Sequence, residues 1–313
     1  METLKALGRR VAVADDVRGI VGTMKAIAAA NIRQFEASVD SMADYNRTLR
    51  LGFQILFHEC RVLDDREGAL TTPSDLRLID TRRDRPGRFG AIVFGSDQGL
   101  CGRFNEEICE YTAQRMQSLG PDHAAWSVIS IGNRVQMQLA ESGFTIAKAE
   151  SAPRSLPGIG PFVQSLLPTV QRWQEEDAVE RVFVFYNKRL AASNFQPTEI
   201  RLLPPDIQSM SKPRASDGEF ATLPTYTMNR TELFRSLIRQ YLFVSLFKAC
   251  AESLASENAS RIASMQAAEK TIENRLGELK SQLNERRQTA ITEELLDIVT
   301  GYEVSTSARK DQA

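Results

Sequence analysis

Residues 261–283 read RIASMQAAEKTIENRLGELKSQL, and the spacing of their apolar side chains decides the architecture. Ile262, Met265, Ile272, Leu276, Leu279 and Leu283 step by three and four residues, with Glu269 as the one polar member of the row. That rhythm marks one face of a helix. No proline interrupts residues 226–302, so the helix can run far beyond the quoted stretch. At about 1.5 Å per residue it would reach roughly 115 Å, several times the width of an ordinary domain. A helix of that length cannot bury its stripe against itself and requires a partner.

Proline placement locates the partner. All 12 prolines lie between Pro73 and Pro224, and a proline inside a helix costs about 3 kcal/mol. Both ends of the chain are therefore free to be long helices, and the middle is not. Residues 3–57 carry Leu4, Leu7, Val11, Val17, Met24, Ile27, Ile32, Phe35, Val39, Met42, Tyr45, Leu49 and Leu56, many at helical intervals. This segment is the expected antiparallel partner of the C-terminal helix.

Between the ends, short β-branched and aromatic runs alternate with helical patterns. FGAIVF (89–94), SVISI (127–131), residues 144–147, RVFVFY (181–186) and residues 198–203 read as strands. Residues 106–119, 134–142 and 162–176 read as helices. The alternation predicts an open, largely parallel, Rossmann-like α/β domain. The expected fold class is thus α+α/β: a long antiparallel coiled coil of N- and C-terminal helices with an inserted open α/β domain. The segments are a coiled-coil helix at 1–57, the inserted domain with its connectors at 58–225, a coiled-coil helix at 226–302 and a polar, frayed tail at 303–313. A loop is expected around 192–197, and the Pro/Ser-rich residues 204–224 read as the connector back to the long helix.

Bulk properties exclude several function classes. The 313 residues carry 39 basic and 40 acidic side chains, a balance unlike that of a generalised nucleic-acid binder. No apolar run reaches the length of a membrane span, and the N-terminus has no signal-peptide core. Cys60, Cys101, Cys109 and Cys250 lie far apart with only His58 and His123 to assist them, which points to a reduced cytoplasmic setting and offers no metal-ligand spacing. The sequence offers no catalytic, cofactor-binding or metal-ligating set.

The strongest local motif is GSDQGLCG at 95–102, directly after a predicted strand and before a helix. Such a turn binds phosphate when its backbone amides are free. It lacks the Lys-Ser/Thr ending of a P-loop and the spacing of a dinucleotide fingerprint. Gly95, Asp97, Gly99, Cys101 and Gly102 therefore read as a tight structural turn, and Cys101 reads as a packing residue rather than a thiolate nucleophile.

The C-terminal helix carries Ser253-Leu254-Ala255-Ser256-Glu257-Asn258, then Arg261 and Met265, then Asn284, Arg287-Gln288, Ile291-Thr292-Glu293-Glu294-Leu295, Ile298-Val299 and Gly301. Met24-Lys25, Ala28-Ala29-Ala30, Ser96 to Gly102 with Asn105, Tyr186-Asn187-Lys188 and Leu202-Leu203-Pro204 precede it in order. Taken together, these motifs resemble the gamma subunit of rotary F-type ATP synthases from end to end. The chain departs from it at Asp15-Asp16, where the family is basic, and at Gln98, Arg103 and Thr271. These departures suggest a divergent branch, such as the alternative ATPases, with either proton or sodium as the coupled ion.

The resemblance implies a central rotor shaft inside a hexamer of alpha and beta subunits, one copy per complex, with the epsilon subunit and the membrane ring of c subunits as further partners. It implies a peripheral place on the cytoplasmic face of a bacterial inner membrane, no cofactor, no nucleic-acid partner and catalysis on the partner subunits. It also implies that Lys25, Glu257, Arg261, Arg287, Gln288, Thr292 and Glu294 meet the surrounding subunits. Two other classes fit fewer features: a stand-alone coiled-coil adaptor, and a nucleotide-using α/β enzyme built on the 95–102 turn.

Overall fold

Runs of helix-forming residues without proline give this chain its two longest elements. The computed structural model describes residues 3–63, 88–120, 125–177, 179–191, 194–206 and 226–310. Helix α1 spans Leu4–Leu63 and the last helix, α5, spans Arg230–Lys310. Both are longer than apolar periodicity predicts. In particular, α5 continues through most of the polar segment expected to fray, because nothing there breaks a helix and propensity differences among ordinary residues are small. The connectors at 64–87 and 207–225, and residues 311–313, lie outside the described residues.

The sheet is built from β1 (Arg88–Phe94), β2 (Trp126–Ile131), β3 (Ile146–Glu150), β4 (Val179–Ala191) and β5 (Asn194–Leu203). Helices α2 (Phe104–Leu119), α3 (Asn133–Glu141) and α4 (Leu156–Glu175) connect the first four strands. Strand order is β3-β2-β1-β4-β5, parallel throughout except for β5, which runs antiparallel to β4. The predicted open α/β sheet is therefore present, with one antiparallel edge.

Several boundaries in the inserted domain differ from expectation, β4 among them, which runs five residues past 186 to Ala191. Helix α4 starts at Leu156, ahead of residue 162, because Pro157 sits in its first turn, where a missing N–H is harmless. Pro161 and Pro168 remain inside it, and the helix persists because Ile159, Val163, Leu166, Val170 and Trp173 bury one face at alternating spacings of four and three. Strand β3 forms at Ile146–Glu150, later than read, and Phe144 packs into the core just before it. Residues 194–197, read as loop, are strand: Pro197 of β5 stands opposite Asn187 of β4, on an edge strand, where a proline is tolerated.

Strand side chains alternate between two cores. Ala91, Val93, Val128, Phe183 and Phe185 meet α2 and α3 through Ile108, Met116, Val135 and Leu139. Ile92, Phe94, Ile129, Ile131, Val182, Val184 and Tyr186 share the opposite core with α4 and with Leu246, Ala249, Cys250 and Leu254 of α5. A sheet covered on both faces needs continuous apolar strands, which is how β1 and β4 read. Each large side chain buried this way contributes on the order of 2 kcal/mol.

The chain divides into two compact units: Met1–Ile27 with Ser264–Ala313, and Ala28–Ala263. In the larger unit α1 and α5 pair antiparallel. Phe35 shares a core with Leu246 and Leu254, the Tyr45 hydroxyl donates to Gln240 Oε1 at 3.0 Å, and Phe53 and Leu56 pack with Phe234 and Ile238. In the smaller unit Leu7 and Val21 of α1 and Met265, Leu276 and Leu279 of α5 are buried, while Glu269, Ile272 and Leu283 are half-covered. The α5 stripe is the one read from sequence.

The α1 stripe is not. Val17 and Ile27 are exposed, together with Val13 and Ile20, and the covered face runs through Leu7, Val21, Lys25, Ala28, Ile32 and Phe35 instead. Alanine and lysine hold seam positions that a search for large apolar side chains passes over. A second apolar stripe is left bare.

Candidate functional site

The glycine-rich turn after β1 is where an open α/β sheet would hold a ligand, so its hydrogen bonds decide whether it is a site. Gly95 N–H donates to the Ile131 carbonyl at 2.8 Å, and Ser96 N–H donates to Asn105 Oδ1 at 2.9 Å. Asn105 Nδ2 returns a bond to Ser96 Oγ at 2.8 Å, and that hydroxyl donates to the Gln98 carbonyl at 2.8 Å. Asp97 Oδ1 accepts the N–H of Asn133 at 3.1 Å, so this carboxylate takes the place an anion would have at the start of α3. Leu100 and Gly102 adopt the left-handed conformation with φ of 64° and 57°. Phe104 N–H closes the turn onto the Cys101 carbonyl at 3.3 Å. The amides at the two ends of the turn, those of Gly95, Ser96 and Phe104, are thus engaged within the fold.

Cys101 is buried beside Ser96 Oγ and Asn105 Nδ2, each 3.5 Å from its sulfur. Burial pushes its thiol pKa up, a change only partly offset by Ser96, so it is a thiol rather than a thiolate. Cys109 is pushed up to about 12 by the same cause.

Gly132, with φ of 104°, faces this turn across the sheet end. A Cβ there would lie 2.7–2.8 Å from the backbone of Ser96, and Arg134 N–H donates to the Ser96 carbonyl at 3.0 Å. Gly132→Ala should therefore lower stability by about 2 kcal/mol, from backbone strain plus a clash that no rotamer relieves. Urea unfolding of the purified chain measures it, and a change under a few tenths would show that the turn is not held from this side.

In doubly wound sheets, ligands enter the crevice at the carboxyl ends of the strands where strand order reverses, here between β1 and β4. Helix α5 occupies that place. Ser260 Oγ donates to the Cys101 carbonyl at 2.5 Å. Ser256 Oγ lies 2.8 Å from the carbonyl of Asn187 on β4, and Asn187 Nδ2 donates to the Phe104 carbonyl at 2.9 Å. Residues 249–260 are buried on every side, which their many alanines and serines permit by letting backbone approach closely. The motif Ser253-Leu254-Ala255-Ser256-Glu257-Asn258 and the turn at 95–102 are two halves of one joint.

Sequence reading placed Glu257 and Arg261 toward outside partners, whereas in this chain they face inward. Glu257 is 7% exposed and receives Arg261 Nη2 at 2.6 Å. Burial raises its pKa above the ordinary carboxylate value, Arg261 pulls it down, and Asp97 raises it. Arg261 Nε is buried without a hydrogen-bond partner among the described residues. Lys25 likewise turns inward, pairing its ammonium with Glu269 Oε2.

The other four predicted contacts are on the surface. Arg287, Gln288, Thr292 and Glu294 are all exposed near the end of α5, and Thr292 Oγ1 donates to the Gln288 carbonyl at 2.9 Å. Around them Ile291, Leu295, Leu296, Ile298 and Val299 are 49–64% exposed. Five large apolar side chains bared within nine residues mark a contact surface. The inward joint was missed by sequence reasoning, although the string of small residues at 249–260 was its signal.

Comparison with known proteins agrees on one family. The family described as ATP synthase matches residues 3–304. The ATP synthase gamma chain of Geotalea daltonii is 28% identical over 310 residues, covering 97% of this chain and 99% of that protein. The gamma chain of Arthrospira platensis is 25% identical, covering 96% and 100%. Among solved structures, a chain of the central stalk and c-ring of the Tetrahymena thermophila mitochondrial ATP synthase superposes with a TM-score of 0.52 at 17% identity, covering 80% of this chain and 99% of that one. A chain of the Euglena gracilis mitochondrial enzyme gives 0.50 at 16% identity, covering 90% and 97%.

Proposed function

This chain belongs to the ATP synthase gamma-chain family, and from that membership we propose how it works. It is the central rotor shaft of an F-type ATP synthase. Its terminal helices wind as an antiparallel coiled coil inside a hexamer of alpha and beta subunits, and its α/β domain meets the epsilon subunit and the c-ring. One copy turns with the ring at the cytoplasmic face of a bacterial membrane. The shaft forces the catalytic beta subunits through successive nucleotide affinities while doing no chemistry itself.

The observation that carries this reading is the end of α5, where exposed Arg287, Gln288, Thr292 and Glu294 stand among five bare aliphatic side chains. No stable isolated helix keeps such a face in water; it expects a sleeve. The crevice filled by α5 counts against the nucleotide-enzyme alternative, since the ligand's place is already taken. A pair of packed helices is also stiffer than either alone, as a lever under torque requires. Of the seven contact residues implied by family resemblance, the four exposed ones make the subunit contacts. Glu257 and Arg261 fix the joint between α5 and the turn.

Replacing Arg287 and Gln288 together by alanine should reduce ATP synthesis in membrane vesicles severalfold. The folded chain's own stability should shift by less than about 0.5 kcal/mol, as for other exposed sites. Unchanged synthesis by an assembled complex would remove these residues from the contact. Co-purification with alpha, beta and epsilon subunits tests the reading as a whole, and tight ATP binding by the isolated chain would favour the enzyme instead.

A further inference from the structure

We propose that Lys25 and Glu269 are a register lock: an ion pair inside the seam of the two long helices that fixes how α1 and α5 are staggered, and so how torque is passed along the shaft. The inference rests on the rotor reading above, and it assigns both residues an inward role.

The geometry begins with position. On α5, Glu269 stands four residues after Met265 and three before Ile272, in the row that continues through Leu276, Leu279 and Leu283. On α1, Lys25 stands four residues after Val21 and three before Ala28, both buried. Each charge therefore occupies a core position of its own helix, and each meets the other, Lys25 Nζ on Glu269 Oε2. Their side chains are 33% and 26% exposed, so most of each is covered. Ordinary exposed helix pairs join residues of one helix at three or four apart, as Arg275 and Glu278 do. This pair crosses between helices.

An aliphatic seam does not by itself distinguish one stagger from the next, since a shift of one turn places another aliphatic group in the same hole. A single polar position in such a seam specifies register at some expense of stability. Sliding α5 by one helical turn, roughly 5 Å, would bring Met265 or Ile272 opposite Lys25. Both charges would then be covered without partners, which is costly. The pair thus penalises slippage in both directions, the motion that axial load on a driven shaft favours.

The test uses the assembled complex and reads the ratio of ion transport to ATP hydrolysis. Lys25→Glu and Glu269→Lys alone should each lower the ratio severalfold, and the reversed pair Lys25→Glu with Glu269→Lys should restore most of it. The apolar pair Lys25→Met with Glu269→Leu should assemble and hydrolyse ATP yet stay poorly coupled. Spin labels at the exposed positions Arg9 and Lys280 should then show a second distance population, displaced by one helical turn, roughly 5 Å. If the reversed pair behaves like the single variants, each residue acts separately and the lock is overturned. It is equally overturned if the apolar pair couples like the parent with one distance population. Failure of the unaltered chain to enter the complex would instead overturn the rotor reading.

Discussion

Leu276→Pro is expected to eliminate recovery of the chain in an assembled complex and, with it, ATP synthesis in vesicles. Leu276 is 3% exposed in the unit formed by the N-terminal end of α1 and the C-terminal part of α5. Proline there removes the N–H that bonds the carbonyl of Ile272 and drives its ring against that carbonyl, at a cost of about 3 kcal/mol or more. Losing the buried leucine side chain adds about 2–5 kcal/mol. Either loss alone exceeds what a two-helix unit with few buried side chains can absorb. Residues 28–263 hold their own cores and lie outside the damage, so the variant should remain soluble and keep its sheet. Far-ultraviolet circular dichroism beside co-purification separates the two effects. Leu276→Met, which keeps volume and helix, should assemble normally. A proline variant recovered at full yield with alpha and beta subunits would sink the account of α5 as a continuous shaft.

Much of the architecture was legible because proline and aliphatic spacing act locally. The proline-free ends became α1 and α5, and the β-branched and aromatic runs became β1, β2 and β4. What sequence hides is which face finds a cover. Val17 and Ile27 have the spacing of seam residues and are bare, while Ala28 and Lys25 lack the look of seam residues and sit in it. Spacing says which side chains share a face; only the partner's surface says whether the face is buried. Helix α4 begins six residues before its expected start at 162, since a proline in the first turn costs nothing and burial of one face outweighs Pro161. Among the residues that the family resemblance names as subunit contacts, Arg287, Gln288, Thr292 and Glu294 are exposed in this chain. Glu257 and Arg261, named on the same resemblance, are covered within the chain, and the signal of that burial was carried by their small neighbours.

Arg261→Ala should destabilise the chain by about 3 kcal/mol, the scale for removing one member of a buried ion pair. The alanine leaves Glu257 buried without the cation that lowers its pKa, and with Asp97 still acting against its charge. The pH dependence distinguishes this cause from lost packing. Glu257 titrates above its ordinary value in the folded chain, so folding favours its protonated form. Stability from that source is complete below the unfolded pKa and is lost as pH rises through the folded one. Arg261 is the group holding the folded pKa down; without it the pKa climbs further and the loss on raising pH grows. The deficit of Arg261→Ala relative to the parent should therefore be greatest at neutral pH and shrink as pH falls toward the ordinary carboxylate range. Adding Glu257→Gln should recover part of the loss at neutral pH and flatten the dependence. Urea unfolding across that range provides both readings. A deficit that stays constant with pH, and that Glu257→Gln leaves untouched, would mean that Arg261 stabilises the joint only through the packing of its side-chain stem.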